Sequence, residues 1–560
     1  MSGSEAEGGR NRLSCHRQVC RYRGYLVEVR TATQTRKGPR LLNIFLPVRL
    51  PHRVLPAGCE CDIPSILYSF SFAPKYDWKA FHAGSVEIQH YLETVVDKFE
   101  VRGHFLLQTG LEKAKWEEDA CTWVCGLSTG QTVRANFLAM GVGGLDIPVT
   151  PKLPGREDFK GPQLHSQAWD PRTDVKGLKV GILGTGASAV QMIPEVAQEA
   201  KEVVVFQRSP NWIFRKEDWG FLHSKPFQLL FSILPILHTF WRMIVYLKGE
   251  LLYTAACFFP SYGNRYVRWV GERFLRKNVR DPKTIEKLTP DYPPGCRRLL
   301  VHNQYLKTFN RPNVNLVTVP VDRLVAEGVK TTDGGVHEVD ILCYATGFDP
   351  SARLQCADLR NGKGEHIDQV DPQHFSSFLG VCNARFPNLF HTLGANTALA
   401  TNSVIWMIEC QVEFIVRTIN AMRSSNAKPS AGARGNPGGL EILSVEPKQS
   451  KVDEWMKVVN REFKGKVWGH CKSWYKTTEG VVYTLWPGYV FEYWAQCLTG
   501  STEIFSWWMC LWMWFVSLLE GWGVFGLRVP REPLETLFNC VKSQQAPPGA
   551  ASVCLGLQDN

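Results

Sequence analysis

One glycine-rich loop constrains the fold of this chain more than any other feature. Residues 184–189 read G-T-G-A-S-A and follow a short apolar run over 178–183. A helical pattern over 190–200 and a β-branched run over 201–208 come next, so the stretch predicts a strand, loop, helix and strand unit of a parallel sheet. In such a unit the first glycine makes the tight turn and the second lets the backbone approach a pyrophosphate, while the third position tolerates Ala.

The end of the second strand indicates which dinucleotide binds. NAD-binding units usually present an acidic residue there, whereas this chain has Gln207, Arg208 and Ser209. An Arg suits the 2′-phosphate of NADPH, which it can grip with two hydrogen bonds; the alternative is an exposed Arg at a strand end. The predicted NADPH-contacting residues of this unit are Gly184, Thr185, Gly186, Ala187, Ser188, Ala189, Gln191, Gln207 and Arg208.

The composition is that of a globular chain with two or three cores, at 560 residues and 44% hydrophobic residues. The net charge of +11 suits nucleotide phosphates or an anionic membrane, but no Lys and Arg run with interleaved aromatics predicts nucleic-acid binding. Residues 1–13 are polar and the cysteines are irregularly spaced, so we expect reduced thiols in the cytoplasm or on a membrane facing the cytosol. Cys59 and Cys61 lack a second ligand pair, so no metal site is predicted.

Two apolar stretches raise the question of a membrane. Residues 227–246 contain Gln228, Pro235 and Arg242, which favours a buried or interfacial helix over a span. Residues 504–519 carry no charge and include four tryptophans, which predicts either a monotopic anchor or a spanning helix. A hydrophobic tail packed on the protein is the alternative for this second stretch.

A second motif lies just before the glycine-rich loop. Residues 159–170 read F-K-G-P-Q-L-H-S-Q-A-W-D, which resembles the signature F-x-G-x-x-x-H-x-x-x-W, followed by P or D, of Baeyer–Villiger monooxygenases. The similarity extends over about residues 55–495. In that family the signature links the two cofactor domains and aids their movement, so the resemblance implies a conformational role and no proton transfer for its fixed positions, Phe159, Gly161, His165, Trp169 and Asp170.

The resemblance implies an α/β fold with two dinucleotide-binding, Rossmann-like domains of three layers, the FAD domain being incomplete at its amino terminus. It divides the chain into an atypical segment over 1–54, a discontinuous FAD-binding-type domain over 55–170 and 336–495, an NADPH-binding domain with a helical insertion over 171–335, and a hydrophobic Trp-rich tail over 496–560.

The resemblance also implies a reaction and its residues. In such enzymes NADPH reduces FAD, the reduced flavin takes up O2, and one oxygen atom is inserted beside a ketone carbonyl; oxygenation of a soft nitrogen or sulfur centre is a related activity. Arg298 matches the active-site arginine and Asp62 the carboxylate that orients it; without the resemblance, a partly buried ion pair is the simpler interpretation. Arg297 and Arg208 match phosphate-binding positions, and Tyr68 and Leu111 match FAD-contacting ones.

The similarity breaks at the amino terminus. Family members begin with a strand, a first G-x-G-x-x-G loop and a helix that bind the FAD pyrophosphate, and residues 1–54 show no such spacing. Since that loop supplies backbone hydrogen bonds and a helix amino terminus, we predict weak or absent FAD binding by the sequence as it stands. The alternative to an active monooxygenase is therefore an inactive, NADPH-binding remnant or truncated isoform.

Overall fold

The computed structural model describes residues 59–169, 173–258, 263–349, 356–372, 376–427, 442–471, 473–477, 479–500 and 538–542. The predictions made for 1–54, for Asp170 and for the tryptophan-rich stretch 504–519 lie outside these ranges. Within them the strands are β1 Leu111–Glu117, β2 Thr122–Leu127, β3 Thr132–Ala135, β4 Leu138–Met140, β5 Gln163–His165, β6 Lys179–Leu183, β7 Glu202–Phe206, β8 Ile213–Phe214, β9 Leu300–Val301, β10 Val314–Val317, β11 Val321–Val325, β12 Gly328–Thr331, β13 Val336–Glu338, β14 Ile341–Tyr344, β15 Asp358–Arg360, β16 Leu389–His391, β17 Ile442–Pro447 and β18 Phe538–Lys542.

The α-helices of the described ranges vary from one turn to more than six. They are α1 Ser85–Lys98, α2 Ala187–Glu199, α3 Lys225–Ile233, α4 Pro235–Tyr253, α5 Gly263–Asn278, α6 Pro282–Leu288, α7 Tyr305–Thr308, α8 Ile367–Val370, α9 Val404–Ala427, α10 Gln449–Glu462 and α11 Val490–Thr499. A π-helical turn, Thr254–Phe258, continues α4.

The predicted strand, loop, helix and strand unit is β6, α2 and β7, and it forms the centre of a five-stranded parallel sheet. The strand order is β10, β7, β6, β14, β5. Both faces are covered, as a parallel sheet requires: α2 packs Val190, Ile193 and Ala197 on one face, while Leu324 and Val329 of the β11–β12–β13 sheet belong to the cluster on the other. β5 and β14 lie outside residues 171–335, the predicted NADPH-binding domain, so the sheet extends beyond both ends of that range. The domain boundaries themselves stay a prediction.

A second group of strands lies in the two segments predicted to form the FAD-binding-type domain, here called the flavin side. β1, β2 and β3 form an antiparallel sheet, to which β15 adds in parallel beside β1, and β4 pairs in parallel with β16. Trp116 and Trp123 are almost completely buried at 1% and 0% exposure and fill the core of this group. The chain therefore alternates between two cores, because β5, β6, β7, β10 and β14 separate β4 from β16.

The largest core cluster joins the carboxy-terminal helices to the loops that carry the predicted catalytic residues. It contains Trp455 of α10, Tyr493 of α11 and Met407 of α9, all fully buried. The same cluster contains Ile63 and Cys296, which are sequence neighbours of Asp62 and Arg298. Burial of this apolar surface is what holds together loops that are remote in sequence.

The predicted helical insertion contains α3 and α4. No single helix in the described part of the chain has the length and apolar character of a membrane span; α3 and α4 with its π-turn meet those criteria only as a pair, bent by 114°. The inner face of α4 is buried through His238, Tyr246 and Tyr253, whereas much of its outer face is exposed.

Candidate functional site

The loop between β6 and α2 has the geometry of a phosphate cradle. Gly184 has φ +106°, and a Cβ there would lie 2.5 Å from the carbonyl oxygen of Ala345, so the position requires glycine. At Gly186 a Cβ would meet nothing within 4 Å, and no side chain caps the amino terminus of α2. The unpaired N–H groups of α2 therefore face open space, where a pyrophosphate can accept their hydrogen bonds.

The other predicted residues of this loop divide into exposed and structural ones. Ala187 and Ser188 are exposed at the start of α2, whereas Ala189 is completely buried against the sheet, as its close-packing position requires. The Thr185 hydroxyl donates to the Ser209 carbonyl at 3.1 Å, which ties the loop to the end of β7. The Gln191 amide donates to the Glu60 carbonyl at 2.8 Å, so this side chain connects α2 to the stretch that carries Asp62.

An open cleft lies beside the end of β7. Its volume is about 520 Å³, within the range of small-molecule sites, and Gln207, Arg208, Lys283 and Lys287 are among its lining residues. Gln207 is buried, its amide donates to the Lys287 carbonyl at 2.7 Å, and its Oε1 has no hydrogen-bond partner. Three cations, Arg208, Lys283 and Lys287, line this cleft against one carboxylate, Glu286, so the residues fit a phosphorylated dinucleotide such as NADPH.

Arg297 joins this cleft to the loop that precedes β9. Its Nη1 donates to Ser209 Oγ at 2.6 Å, one residue after Arg208, and its guanidinium lies 4.4 Å from the ring centroid of Tyr292. Arg208 itself is exposed. The structure thus brings both predicted phosphate-binding arginines to the same end of β7.

Arg298 and Asp62 form a bidentate ion pair. Arg298 Nε and Nη2 donate to the two carboxylate oxygens, each at 2.6 Å, across 236 residues of sequence. The side chains remain 32% and 23% exposed, so the pair borders open space. Burial acts to raise the pKa of Asp62, but the charge and hydrogen bonds of Arg298 outweigh it, and the pKa stays below its ordinary value. For Arg298, burial acts to lower the pKa and Asp62 raises it, so the guanidinium keeps its charge.

The two predicted flavin contacts lie in different places. Tyr68 is close enough to Asp62 and Arg298 for both charges to affect it, although burial is the main reason that its pKa rises to about 12. Leu111 begins β1 and is 1% exposed within the core of the antiparallel sheet, in a different cluster. The structure therefore brings Tyr68 to the ion pair and places the Leu111 side chain in a core.

The signature residues connect the end of β5 to the end of β14. A Cβ at Gly161 would lie 2.2 Å from the Asp340 carbonyl oxygen, which explains the glycine. Phe159 and Trp169 are buried, and His165 lies edge-on to Phe348 with ring centroids 5.7 Å apart. Burial lowers the pKa of His165, so its ring is neutral near pH 7, in keeping with a structural role.

The sequence did not reveal how the arginine loop is held. Trp468 Nε1 donates to the Gly295 carbonyl at 2.9 Å, and Cys296 forms a disulfide with Cys471. The expectation that the thiols are reduced is wrong for this pair, since packing of the largest core brings the two together. Their separation of 175 residues gives no spacing signal. Among the described residues, no group of three or more His, Cys, Asp and Glu side chains could hold a metal.

The same residues can be tested for fit to FAD. Asp62, Tyr68 and Arg298 form a charged edge suited to a ring system whose charge changes during reaction. Next to the β4–β16 pair, the described residues contain no cradle like that at Gly184, and the helix that follows β16 has its first turn capped by the Ser403 hydroxyl. Asp62, Tyr68 and Arg298 thus fit the ring of FAD, and the described residues next to β4 and β16 do not include a site for its pyrophosphate. Residues 1–54, where the pyrophosphate-binding loop is predicted to be missing, are not described.

Comparison with known proteins agrees with this geometry. The model of the flavin-binding monooxygenase-like family matches residues 67–244. A Baeyer-Villiger monooxygenase of Pseudomonas aeruginosa is 32% identical over 441 residues, which cover 78% of this chain and 80% of that protein.

Solved structures match over a similar extent. The crystal structure of OTEMO in complex with FAD and NADP superposes with a TM-score of 0.68 at 25% identity, covering 79% of this chain and 88% of the other. Cyclohexanone monooxygenase from Rhodococcus sp. Phi1, bound to NADP+, gives a TM-score of 0.67 at 26% identity with the same coverage. The chain has the mixed α/β fold of these structures, with two Rossmann-type domains.

Proposed function

The chain belongs to the flavin-dependent monooxygenases of the Baeyer–Villiger type, and from this we propose that it inserts one oxygen atom of O2 beside a ketone carbonyl, giving an ester or lactone. It is a flavin-dependent monooxygenase whose cofactors are FAD and NADPH. The observation that carries the proposal is the bidentate Asp62–Arg298 pair, which borders open space next to the NADPH-binding arginine Arg297.

The nucleotide side has a defined role in this proposal. The α2 amino terminus and the backbone at Gly186 would hold the pyrophosphate of NADPH, and Arg208 with Arg297 would hold its 2′-phosphate. Arg297 has a second function here, because its hydrogen bond to Ser209 fixes the loop that also carries Arg298. Binding of NADPH and placement of the catalytic arginine are therefore coupled through two adjacent residues.

Arg298 and Asp62 would act on the reacting atoms. When bound, FAD supplies the redox chemistry and the activation of O2. Arg298 offers a permanent positive charge to the negative charge that develops on the ketone oxygen during attack. Asp62 fixes the plane of the guanidinium with two hydrogen bonds, so the charge points in one direction and need not reorganise. Neither residue has to transfer a proton in this scheme.

The experiment that tests the reaction uses the full chain with added FAD, NADPH and cyclohexanone under ¹⁸O₂. We expect a lactone that carries one labelled oxygen atom, detected by mass spectrometry. Parallel reactions with a tertiary amine and a thioether test the related activity on soft centres. Consumption of NADPH that yields an N-oxide or a sulfoxide but no lactone would overturn ketone insertion.

The alternative function is an NADPH-binding remnant without flavin. It rests on the sequence of residues 1–54, which shows no G-x-G-x-x-G spacing. The flavin content of the desalted chain, measured by visible absorbance with and without added FAD, separates the two functions. Near-stoichiometric FAD supports the monooxygenase, whereas NADP+ binding without any flavin supports the remnant.

We further propose that the chain works at an anionic bilayer surface and takes lipophilic ketones. The outer faces of α3 and α4, with the turn before them, expose an unusual concentration of large apolar side chains: Phe221, Leu229, Ile233, Leu234, Ile236, Phe240, Leu247, Leu251 and Leu252. The exposed charged residues of these two helices are Lys225 and Lys248, both basic, while the carboxylate of Glu250 is buried. Lys248 is ion-paired with Glu217, so Lys225 and the net charge of +11 favour an anionic headgroup region, while the apolar face favours a bilayer surface.

Vesicle flotation tests this surface. The full chain should float with vesicles containing phosphatidylserine and less with pure phosphatidylcholine, and the pair I236D and L251D should reduce flotation several-fold. Val86→Asp, at an exposed apolar residue of α1 outside this face, is the matched control. A W512A variant tests the predicted tail anchor separately. Loss of flotation in W512A but not in the I236D and L251D variant would show that residues 504–519, and not α3 and α4, contact the membrane.

A further inference from the structure

The loop of residues 295–298 is held by one short carboxy-terminal stretch, residues 467–475, here called the clamp. Trp468 Nε1 donates to the Gly295 carbonyl at 2.9 Å, Cys471 is bonded to Cys296 with 5.6 Å between their Cα atoms, and Tyr475 lies close enough to Arg298 to be affected by its charge. Two links and one contact therefore fall on four residues of the arginine loop.

The clamp crosses the predicted division of the chain. The arginine loop lies within 171–335, the predicted NADPH-binding domain, and the clamp lies within 336–495, on the flavin side. Trp468 and Cys296 are 0% and 1% exposed, and Tyr475 is also buried, so the links lie in the largest core and not on a flexible surface. The Cys296–Cys471 bond is the only covalent link among the three.

The contacts of Arg297 and Arg298, the two residues after Cys296, depend on the position of this loop. Arg297 reaches forward to Ser209 in the NADPH cleft, and Arg298 reaches to Asp62. Gly295, with φ +90°, allows the chain to turn between the two arginines and the clamp. A cross-link that fixes the backbone at Cys296 removes conformational freedom that both arginines would otherwise have to lose when NADPH binds.

We propose that the Cys296–Cys471 disulfide positions Arg297 for NADPH and Arg298 for its pairing with Asp62, and that its reduction by a dithiol releases the loop and weakens nucleotide binding. This rests on the proposed NADPH-dependent function. In the reduction, one thiolate of the dithiol attacks a sulfur of the bond, the second thiol displaces the resulting mixed disulfide, and the products are two cysteine thiols and one oxidised dithiol.

A third sulfur lies near Gly295. A Cβ at Gly295 would be 3.4 Å from Cys257 Sγ, so the thiol of Cys257 packs against the arginine loop. Burial raises the pKa of Cys257 far above its ordinary value, which keeps it protonated and unreactive. Exchange within the protein is therefore slow, and an external dithiol reaches the buried pair only when this core opens locally, so reduction requires prolonged incubation.

The test compares the full-length protein after treatment with oxidised glutathione and with dithiothreitol. Non-reducing digestion and mass spectrometry should find Cys296 and Cys471 in one linked peptide only in the oxidised form. The dissociation constant for NADP+, measured by titration, should rise about fivefold to tenfold on reduction, a range typical of coupling between sites. The KM for NADPH should rise in parallel, and kcat should fall as well, because Arg298 lies on the same released loop.

Two variants keep the result interpretable. C471S should resemble the reduced protein in both redox conditions, and C59S, which removes an unbonded cysteine, should behave as the unchanged protein does. If C471S does not fold, the comparison of redox states in the unchanged protein still decides. An absent linked peptide, or equal NADP+ affinity in both states, would overturn the proposal. A redox-dependent affinity without any lactone would instead refute the proposed oxygen insertion and leave the disulfide effect standing.

Discussion

The NADPH side and the flavin side of this chain are built in different ways. On the NADPH side, the cradle at Gly184, the helix α2 and the arginine after β7 come from one continuous stretch of sequence. On the flavin side, Asp62 and Arg298 meet across 236 residues, and the parallel pair β4–β16 is separated by the whole NADPH-type sheet. A continuous cofactor site depends on local geometry, whereas a discontinuous one depends on the packing of several cores.

This difference explains where the two sides are vulnerable. Substitutions in the cradle should affect one cofactor and leave the rest of the molecule intact. Substitutions on the flavin side act at a point where several distant segments meet. The four predictions below test this contrast.

Replacement of Arg298 by Ala should give the largest effect. We expect lactone formation to fall by about 100-fold to 1,000-fold, as for other residues that stabilise developing negative charge, because Asp62 is then left without its counter-ion. R298K should recover only part of the activity, since an ammonium cannot match both carboxylate oxygens. Product formation and NADP+ affinity are measured together; a parallel loss of both would show that Arg298 serves the nucleotide and not the reaction.

An R134A variant is the matched control for the arginine substitution. Arg134 also pairs with a carboxylate, that of Glu117, but its side chain is 54% exposed on the antiparallel sheet. Exposed ion pairs contribute little to stability, so its loss should change neither product formation nor the melting temperature appreciably.

Gly186→Ala should separate nucleotide binding from folding. Nothing lies within 4 Å of the added Cβ, and the backbone at Gly186 is extended, so the melting temperature should stay close to that of the unchanged protein. NADP+ affinity should fall by about 10-fold to 100-fold because the methyl group occupies the approach of the pyrophosphate. G184A provides the contrast: it clashes with Ala345 at positive φ and should lower the melting temperature. Equal melting temperatures for the two variants would contradict this account of the loop.

Arg208→Gln should shift the cofactor preference. A charge-assisted hydrogen bond contributes roughly 1.5–3 kcal/mol, so the preference for NADPH over NADH should fall by about 10-fold to 100-fold. The change is read from kcat/KM for the two nucleotides. R323Q, at another exposed arginine of the same half, should leave the ratio unchanged. A preference that survives in R208Q would assign the 2′-phosphate to Arg297 or to Lys287.

Glu250→Gln should have the smallest effect, on stability and not on chemistry. Burial, with help from nearby Glu492, raises the pKa of Glu250 to about 7, although a hydrogen bond from Asn402 opposes the shift. Because the unfolded chain ionises near 4.5, the folded state loses stability as pH rises from about 4.5 to 7. E250Q removes this loss and should be more stable than the unchanged protein by roughly 1–3 kcal/mol above pH 7.

Thermal melts between pH 5 and pH 8 measure the effect of E250Q. The two proteins should converge toward acidic pH and diverge above neutrality. E93Q, at an exposed position on α1, is the control and should follow the unchanged protein throughout. A constant difference at all pH values would show that packing and not ionisation is responsible.

Much of the nucleotide site could be predicted from the sequence. The apolar run before Gly184, the helical period after it and the arginine after the next strand all lie within about 30 residues, and each is fixed by local backbone geometry. The signature glycine at 161 was also predictable as a fixed position, although its reason, the carbonyl oxygen of Asp340 at 2.2 Å from a Cβ, is a tertiary contact.

The sequence by itself determined the α/β class, the phosphate cradle and the residues suited to NADPH, because these follow from the period and the turn chemistry of neighbouring residues. The pairing of Asp62 with Arg298 was expected from the family resemblance and not from any local pattern; only the tertiary structure decided that Cys296 bonds Cys471 and that the side chain of Leu111 is enclosed in a core. Contacts between residues 175 or 236 positions apart leave no periodic trace in a single sequence, since they depend on how complete cores pack against one another.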